Sequence, residues 1–287
     1  MASENWDQVV ADFQSSPTLD VWRAYMKEVY CRLARRWFAA APPGRRLKTD
    51  LFEEAISIHH PMAEFPEGGM GMDGSISVVA GAKNNLESSS GYRLLVSDLR
   101  RSPIRPGTLS SILSGSSLDH FETEEELVSG LAEVTAGLTP GGVLLLTLDN
   151  PQNPLIWLRN HLPYRMLNRL GLVPYFVGKT WSRRDARRQL ESLGLEVIDE
   201  TAIAHAPRAP AIWLDSLTTN WRSTRLGDAL LRAYLAFEVL EGLPTRYLTG
   251  YYIAIRACQS KARETPRSRT ADYSTTADQA PLSPVSK

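Results

Sequence analysis

Cysteine is scarce in this chain, neither sign of charge is in surplus, and no long apolar run occurs. The 287 residues include only Cys31 and Cys258, too few for a disulfide scaffold or a four-thiolate zinc site. Lys plus Arg and Asp plus Glu number 32 each. That balance argues against nucleic acid as the main partner, because such binding needs spare cations to displace phosphate counterions. No stretch approaches the roughly 20 apolar residues that cross a bilayer, so no membrane span is expected. The opening MASENWDQVV carries acids where a secretory signal carries cations, and the expected compartment is the reducing cytoplasm.

What is present is the composition of a globular protein with a sizeable core, 43% hydrophobic and 22% charged. In residues 17–40, Val21, Trp22, Tyr25, Met26, Val29, Leu33 and Phe38 recur at helical spacing, which predicts an amphipathic helix ended by Pro42, Pro43 and Gly44. Residues 1–44 are therefore expected to form a helical cap. Beyond it, strand and helix alternate. The clearest strand is the continuous apolar run 143–148, entered through Thr139, Pro140, Gly141 and Gly142; such a run suits a strand covered on both faces. Residues 122–138 place Leu127, Leu131, Val134 and Leu138 on one helical face. Shorter strands are expected at 45–48, 71–72, 92–96, 108–113, 195–198 and 251–257, with helices at 76–86, 155–170 and 182–193. This alternation predicts an α/β, doubly wound, mostly parallel sheet over residues 45–258, with a helical insertion at about 209–250. Residues 259–287, rich in Ser, Thr, Pro, Arg and Lys, are expected to be a disordered tail.

Ligands in such sheets bind beyond the carboxyl ends of the strands, so the residues after each strand carry the functional signal. They are Lys48, Thr49 and Asp50; then Asp73, Gly74 and Ser75; then Asp98 and Leu99; then Ser116, Asp119 and His120; then Asp149. An edge of polar acceptors beside an apolar core suits a small-molecule site. Asp50 with Glu53 also has the form of a helix capping box. Gly69, Gly71 and Gly74 spell a GxGxxG, which signals a dinucleotide only if a strand precedes it and a helix follows. No metal site is expected, because His59 and His60 are adjacent and lack a third ligand at a suitable offset.

The order of these pieces resembles the class I S-adenosylmethionine-dependent methyltransferases. The matching stretches are GMDGS at 71–75, SDLRRSPIRPGTLSSIL at 97–113, SSLDHF at 116–121, LTPGGVLLLTLDNPQNP at 138–154, LEVIDE at 195–200 and YYIAIRA at 251–257. The resemblance covers residues 45–257 and implies a seven-stranded Rossmann-like sheet whose last strand is antiparallel. It implies S-adenosyl-L-methionine as cofactor, Asp73 on the ribose hydroxyls, Asp98 with Leu99 at the adenine, and Lys48, Thr49 and Asp50 at the methionine end. The family's first motif is a glycine-rich turn, whereas residues 48–55 contain no glycine. Charge pairing would then replace close backbone approach, with Lys48 near the cofactor carboxylate and Asp50 near its ammonium.

The implied reaction is O- or N-methylation of a small molecule by direct displacement, with His120 beside Asp119 as the candidate base. Trp213, Trp221, Tyr234, Phe237 and Tyr247 in the insertion either pack the added helices or, with residues 154–181, line a lid over an apolar or ring-bearing acceptor. Two other readings stay open. One is a nicotinamide-dependent oxidoreductase using Gly69, Gly71 and Gly74, and the other is a catalytically silent cofactor-binding or interaction protein.

Overall fold

The computed structural model describes residues 6–15, 19–65, 69–86, 91–169, 178–216 and 224–260. Two helices open the chain, α1 (Trp6–Ser15) and α2 (Asp20–Phe38). The alternating core follows as β1 (Arg45–Thr49), α3 (Phe52–Ile56), β2 (Met70–Asp73), α4 (Ile76–Leu86), β3 (Arg93–Val96), β4 (Leu109–Gly115), α5 (Glu124–Ala136) and β5 (Leu138–Asp149). Helices α6 (Pro154–His161), α7 (Tyr164–Arg169) and α8 (Arg183–Ser192) lead to β6 (Leu195–Ile203). Helices α9 (Arg208–Ser216), α10 (Arg225–Ala236) and α11 (Arg246–Thr249) precede β7 (Tyr252–Gln259).

The seven strands form one sheet in the order β3-β2-β1-β4-β5-β7-β6. The first five pair in parallel, and β7 runs antiparallel to both β5 and β6. The α/β doubly wound class expected from the alternation is thus the fold. Along β5 the buried side chains divide by parity: Val143 and Leu145 join the core beneath α2, while Leu144, Leu146 and Leu148 join the core that includes Leu127, Leu131 and Leu190 of α5 and α8. Burial on both faces is why this strand is a continuous apolar run rather than an alternating one.

Several boundaries differ from expectation for local physical reasons. Residues 139–142 belong to β5 instead of preceding it. They bulge, because Leu109 pairs with Leu138 while Ser111 already pairs with Val143. A Cβ on Gly142 would sit 2.8 Å from the Thr139 carbonyl oxygen, so the bulge needs glycine there. The strand β7 extends through Gln259, and Ser260 Oγ donates to the Gly194 carbonyl at 3.2 Å. The expected tail therefore starts no earlier than 261, and residues 261–287 lie outside those described. Asp50 and Glu53 make no capping box. Leu51 stands at the N-cap of α3 without a side-chain cap, and Asp50 Oδ1 instead accepts from the Phe52 amide two residues on, at 2.8 Å. The helix α1 lies within the helical cap expected over 1–44, although the only helix placed there was over 17–40.

Expectation placed a helical insertion at about 209–250, and α9, α10 and α11 occupy it. Asp215 of α9 caps α2 by accepting from the Trp22 amide at 2.8 Å, which satisfies a donor that a helix start otherwise leaves open. Tyr234 of α10 packs edge-on against Tyr25, with ring centroids 6.0 Å apart. The aromatic Tyr234 therefore serves packing of the added helices. Trp213 is exposed, and Trp221 lies outside the described residues.

Emptying the sheet centre should be costly and trimming the rim should not. Leu144→Ala and Leu145→Ala are each expected to lower unfolding free energy by about 2–5 kcal/mol, whereas exposed Ile76→Ala should stay within about 0.5 kcal/mol. Urea titration followed by circular dichroism checks the contrast.

Candidate functional site

The strand order reverses between β1 and β4, which opens a crevice at their carboxyl ends. On the β1 side the turn is built from charge. Lys48 Nζ lies 2.7 Å from Glu54 Oε2, with the two side chains 5% and 0% exposed, and it also donates to the Asp50 carbonyl. Glu54 Oε1 accepts from the Met62 amide at 3.3 Å. Burial alone would lower the Lys48 ammonium, but the Glu54 and Asp50 carboxylates outweigh it and hold it above its ordinary value. Lys48 is thus committed inside the turn. Asp50 adopts φ +74°, a left-handed conformation that costs a non-glycine residue energy. Its amide donates to the Met72 carbonyl at 2.9 Å, tying the turn to β2.

At the end of β2, Asp73 bridges two loops. One oxygen accepts from the Leu51 amide and the other from the Ser75 amide, both at 2.9 Å. Burial and the nearby Asp50 carboxylate raise Asp73 to about 6. Asp50 is itself pushed up by burial. Ser75 Oγ accepts from the Val78 amide at the start of α4, and a Cβ on Gly74 would meet no atom within 4 Å. Room is therefore open beside Asp73. At the end of β3, Asp98 is exposed and clamped by Arg100, whose Nε and Nη2 donate to Oδ1 and Oδ2 at 3.0 and 2.6 Å. These bonds hold the Asp98 carboxyl below its usual range. Leu99 packs partly buried against the core.

On the far side of the crevice, Thr49 Oγ1 and Ser117 Oγ lie 2.7 Å apart and join β1 to the β4 exit. Ser116 between them and the strand has φ +53°. Above Gly115, Tyr30 of α2 places its hydroxyl 3.0 Å from Thr147 Oγ1. The buried Asp119 accepts the Asp149 amide at 2.8 Å; burial and then the Asp149 charge push its carboxyl well up. Asp149 in turn pairs with Arg159 at 2.6 Å. A strap at 178–180 closes this corner: the Gly178 amide donates to the Asp119 carbonyl at 2.7 Å, and Thr180 Oγ1 donates to the Asp149 carbonyl at 3.0 Å. His120 turns toward α1, where its ring meets Trp6 edge-on at 4.6 Å. Trp6 also meets Phe52, at 6.0 Å.

Lys48, Thr49, Asp50, Asp73, Gly74, Ser75, Ser116 and His120 thus border the crevice from β1, β2 and β4. Lys48 and Thr49 are spent on internal bonds, Asp119 is enclosed below His120, and Asp98 and Leu99 stand one strand further out. Sequence reasoning missed Glu54, Tyr30, Arg159 and the α1 aromatics. The GxGxxG does not fit a dinucleotide turn, because Gly69 precedes β2 and Gly71 lies within it. Its glycine serves packing: a Cβ on Gly71 would come 2.6 Å from Leu51 Cδ2. His205 is structural, its Nε2 2.9 Å from the Ala202 carbonyl and its Nδ1 2.8 Å from Thr249 Oγ1.

No family model matches the chain, and no curated protein does. Solved structures do match. A protein described as a sarcosine dimethylglycine methyltransferase of Galdieria sulphuraria superposes with TM-score 0.55 at 9% identity, over 82% of this chain and 86% of that one. The [4+2]-cyclase SpnF gives 0.52 at 14% identity, over 82% and 80%. The geranyl diphosphate C-methyltransferase of Streptomyces coelicolor A3(2), solved with geranyl diphosphate and S-adenosylhomocysteine, gives 0.50 at 15% identity, over 80% and 78%. This chain therefore has the fold of the class I S-adenosylmethionine-dependent methyltransferases.

Two measurements check the site's electrostatics. Lys48→Met strands a buried carboxylate and should cost about 3–5 kcal/mol, while the double variant Lys48→Met/Glu54→Leu should regain most of that. Asp73 holds its proton longer in the folded state than in the unfolded chain, so its contribution is greatest below pH 4 and declines as pH rises through about 6. The stability of wild type relative to Asp73→Asn should fall between pH 4 and pH 7, read by urea melts at both.

Proposed function

We propose that this chain is an S-adenosylmethionine-dependent methyltransferase that methylates oxygen or nitrogen of a small molecule. The observation that carries the reading is the Asp73 carboxylate at the end of β2, with Asp50 and Ser116, two of the three left-handed non-glycine residues among those described, at the exits of β1 and β4 on either side of the switch point. Non-glycine residues hold such backbone only where the surroundings enforce it, and such strain clusters at ligand sites.

The residues present fit a nucleoside. Each Asp73 oxygen accepts one amide and keeps a lone pair for a ribose hydroxyl, and the open space at Gly74 and Ser75 admits the sugar. Asp98, fixed by Arg100, accepts from the adenine amine, and Leu99 flanks the base. Asp50 faces the methionine ammonium. Lys48, sequestered by Glu54, braces the turn in place of touching the cofactor carboxylate; Thr49 and Ser117 close the floor, and Ser116 borders the methionine portion.

When bound, the cofactor would supply a sulfonium methyl group, which an acceptor lone pair attacks as the carbon–sulfur bond breaks and the neutral thioether leaves. The chain's part is mainly alignment, which supplies much of the barrier reduction in such reactions. His120 takes the proton released by a hydroxyl or ammonium acceptor. Asp119 is a positioning residue that fastens the β4 exit to β5 through the Asp149 amide. Trp6 and Phe52 give the acceptor side an apolar, ring-lined wall, which suits an apolar or aromatic acceptor.

Calorimetric titration with sinefungin, a stable cofactor analogue, should show affinity at least about tenfold weaker for Asp50→Ala and for Asp73→Ala. Undiminished affinity in both removes the placement. Binding without turnover on any acceptor assigns the chain to the silent class instead. A pH–rate profile that His120→Ala leaves unchanged excludes the base.

A further inference from the structure

Between β5 and α8 the chain changes character. Residues 150–184 contain six Lys or Arg and no Asp or Glu, although the chain as a whole has 32 of each sign. The helices α6 and α7 lie in this stretch, and α6 is apolar on opposite sides. Inward, Ile156 is fully buried and Arg159 reaches Asp149. Outward, Leu155, Trp157 and Leu158 are 61%, 53% and 48% exposed, and Met166 of α7 is 40% exposed. A helix apolar all round is normally covered all round, and a clustered exposed patch marks an interaction surface.

Charge decides what covers it. Arg165 and Arg169 of α7 are exposed and make no ion pair among the described residues. Exposed Leu and Trp beside arginines that pair with no acid among the described residues are the features of a helix lying in the headgroup layer of an anionic bilayer. Trp157 suits that depth, having an apolar body and a polar N–H. The α6–α7 unit is also well fastened. Asn153 caps α6, accepting from the Leu155 amide at 2.9 Å, and the Arg159–Asp149 pair ties it to the end of β5.

We infer that α6 and α7 dock this protein onto an anionic lipid surface, with Leu155, Trp157, Leu158 and Met166 inserted among the headgroups and Arg165 and Arg169 on the phosphates. The surface stands at the carboxyl end of β5, beside the crevice, so an acceptor reaches the site from the bilayer. That last point rests on the proposed methyltransferase reading; the docking itself does not.

The test is co-sedimentation of the full-length protein with vesicles of phosphatidylcholine alone and of phosphatidylcholine mixed equally with phosphatidylglycerol. Binding is expected to the mixed vesicles, weakened by high salt. It should fall at least about tenfold for Arg165→Glu/Arg169→Glu and for Trp157→Ser/Leu158→Ser. Val239→Ser, at an exposed apolar site outside this unit, should bind as wild type does. All four substituted residues of the double variants face solvent, so circular dichroism melts should match wild type and confirm folding. Absence of binding to mixed vesicles, or folded double variants that bind unchanged, overturns the inference. So does conversion of a dimer to a monomer by Trp157→Ser/Leu158→Ser in sedimentation velocity, which would make a second copy the occupant.

Discussion

Lys48 and Glu54 form an ion pair that water does not reach, and the shape of the β1 turn depends on it. Desolvating two charges is expensive, and the cost is offset only when geometry is good and the remaining donors and acceptors are met. Here they are: the ammonium also reaches the Asp50 carbonyl, and the second Glu54 oxygen takes the Met62 amide. The pair thereby holds Asp50 in left-handed backbone and sets the Leu51 amide against Asp73. A glycine-rich turn would reach the same path through conformational freedom. This chain reaches it through side chains, which makes the turn stiffer and its integrity conditional on two residues.

From that turn the crevice follows. Asp73 gathers the amides of Leu51 and Ser75, so the exits of β1 and β2 move as one unit. Across the switch point, the Thr49–Ser117 contact and the left-handed Ser116 fix the β4 exit. Beyond it, Asp119, Asp149, Arg159 and the strap at 178–180 form a buried polar network under His120. The Asp149 amide on Asp119, the Arg159 pair and the two strap bonds fasten the exits of β4 and β5 together. The same Arg159 that joins this cluster anchors α6, so the candidate site and the proposed lipid-facing helices share one fastening.

Much of the fold was legible because burial writes itself into hydrophobic pattern. The run Val143 to Leu148 reads as a two-face strand, and the spacing from Val21 to Phe38 as a helix, since each pattern has one structural solution. The strand-end aspartates were legible by position, because parallel topology sends every such end to one rim. The Lys48–Glu54 pair was not. A Glu inside FEEAI looks solvated, and its partner six residues away becomes a neighbour only once the turn closes. The clamp of Asp98 by Arg100 was not legible either, because it depends on a short 3-10 turn that no periodicity announces. In α1, Trp6, Val9, Val10 and Phe13 do recur at helical spacing, but a ten-residue amphipathic segment draws its stability from what it packs on, here Phe52 and His120.

The claim that a side-chain-built turn cups a nucleoside at the β1–β4 switch is tested most directly by hydrogen–deuterium exchange with and without S-adenosylhomocysteine. Slowed exchange at the amides of 50–52, 73–75 and 115–117, with the β3 and β6 edges unaltered, is the result this account requires. Protection confined to other strand ends, or none at saturating ligand, would contradict it.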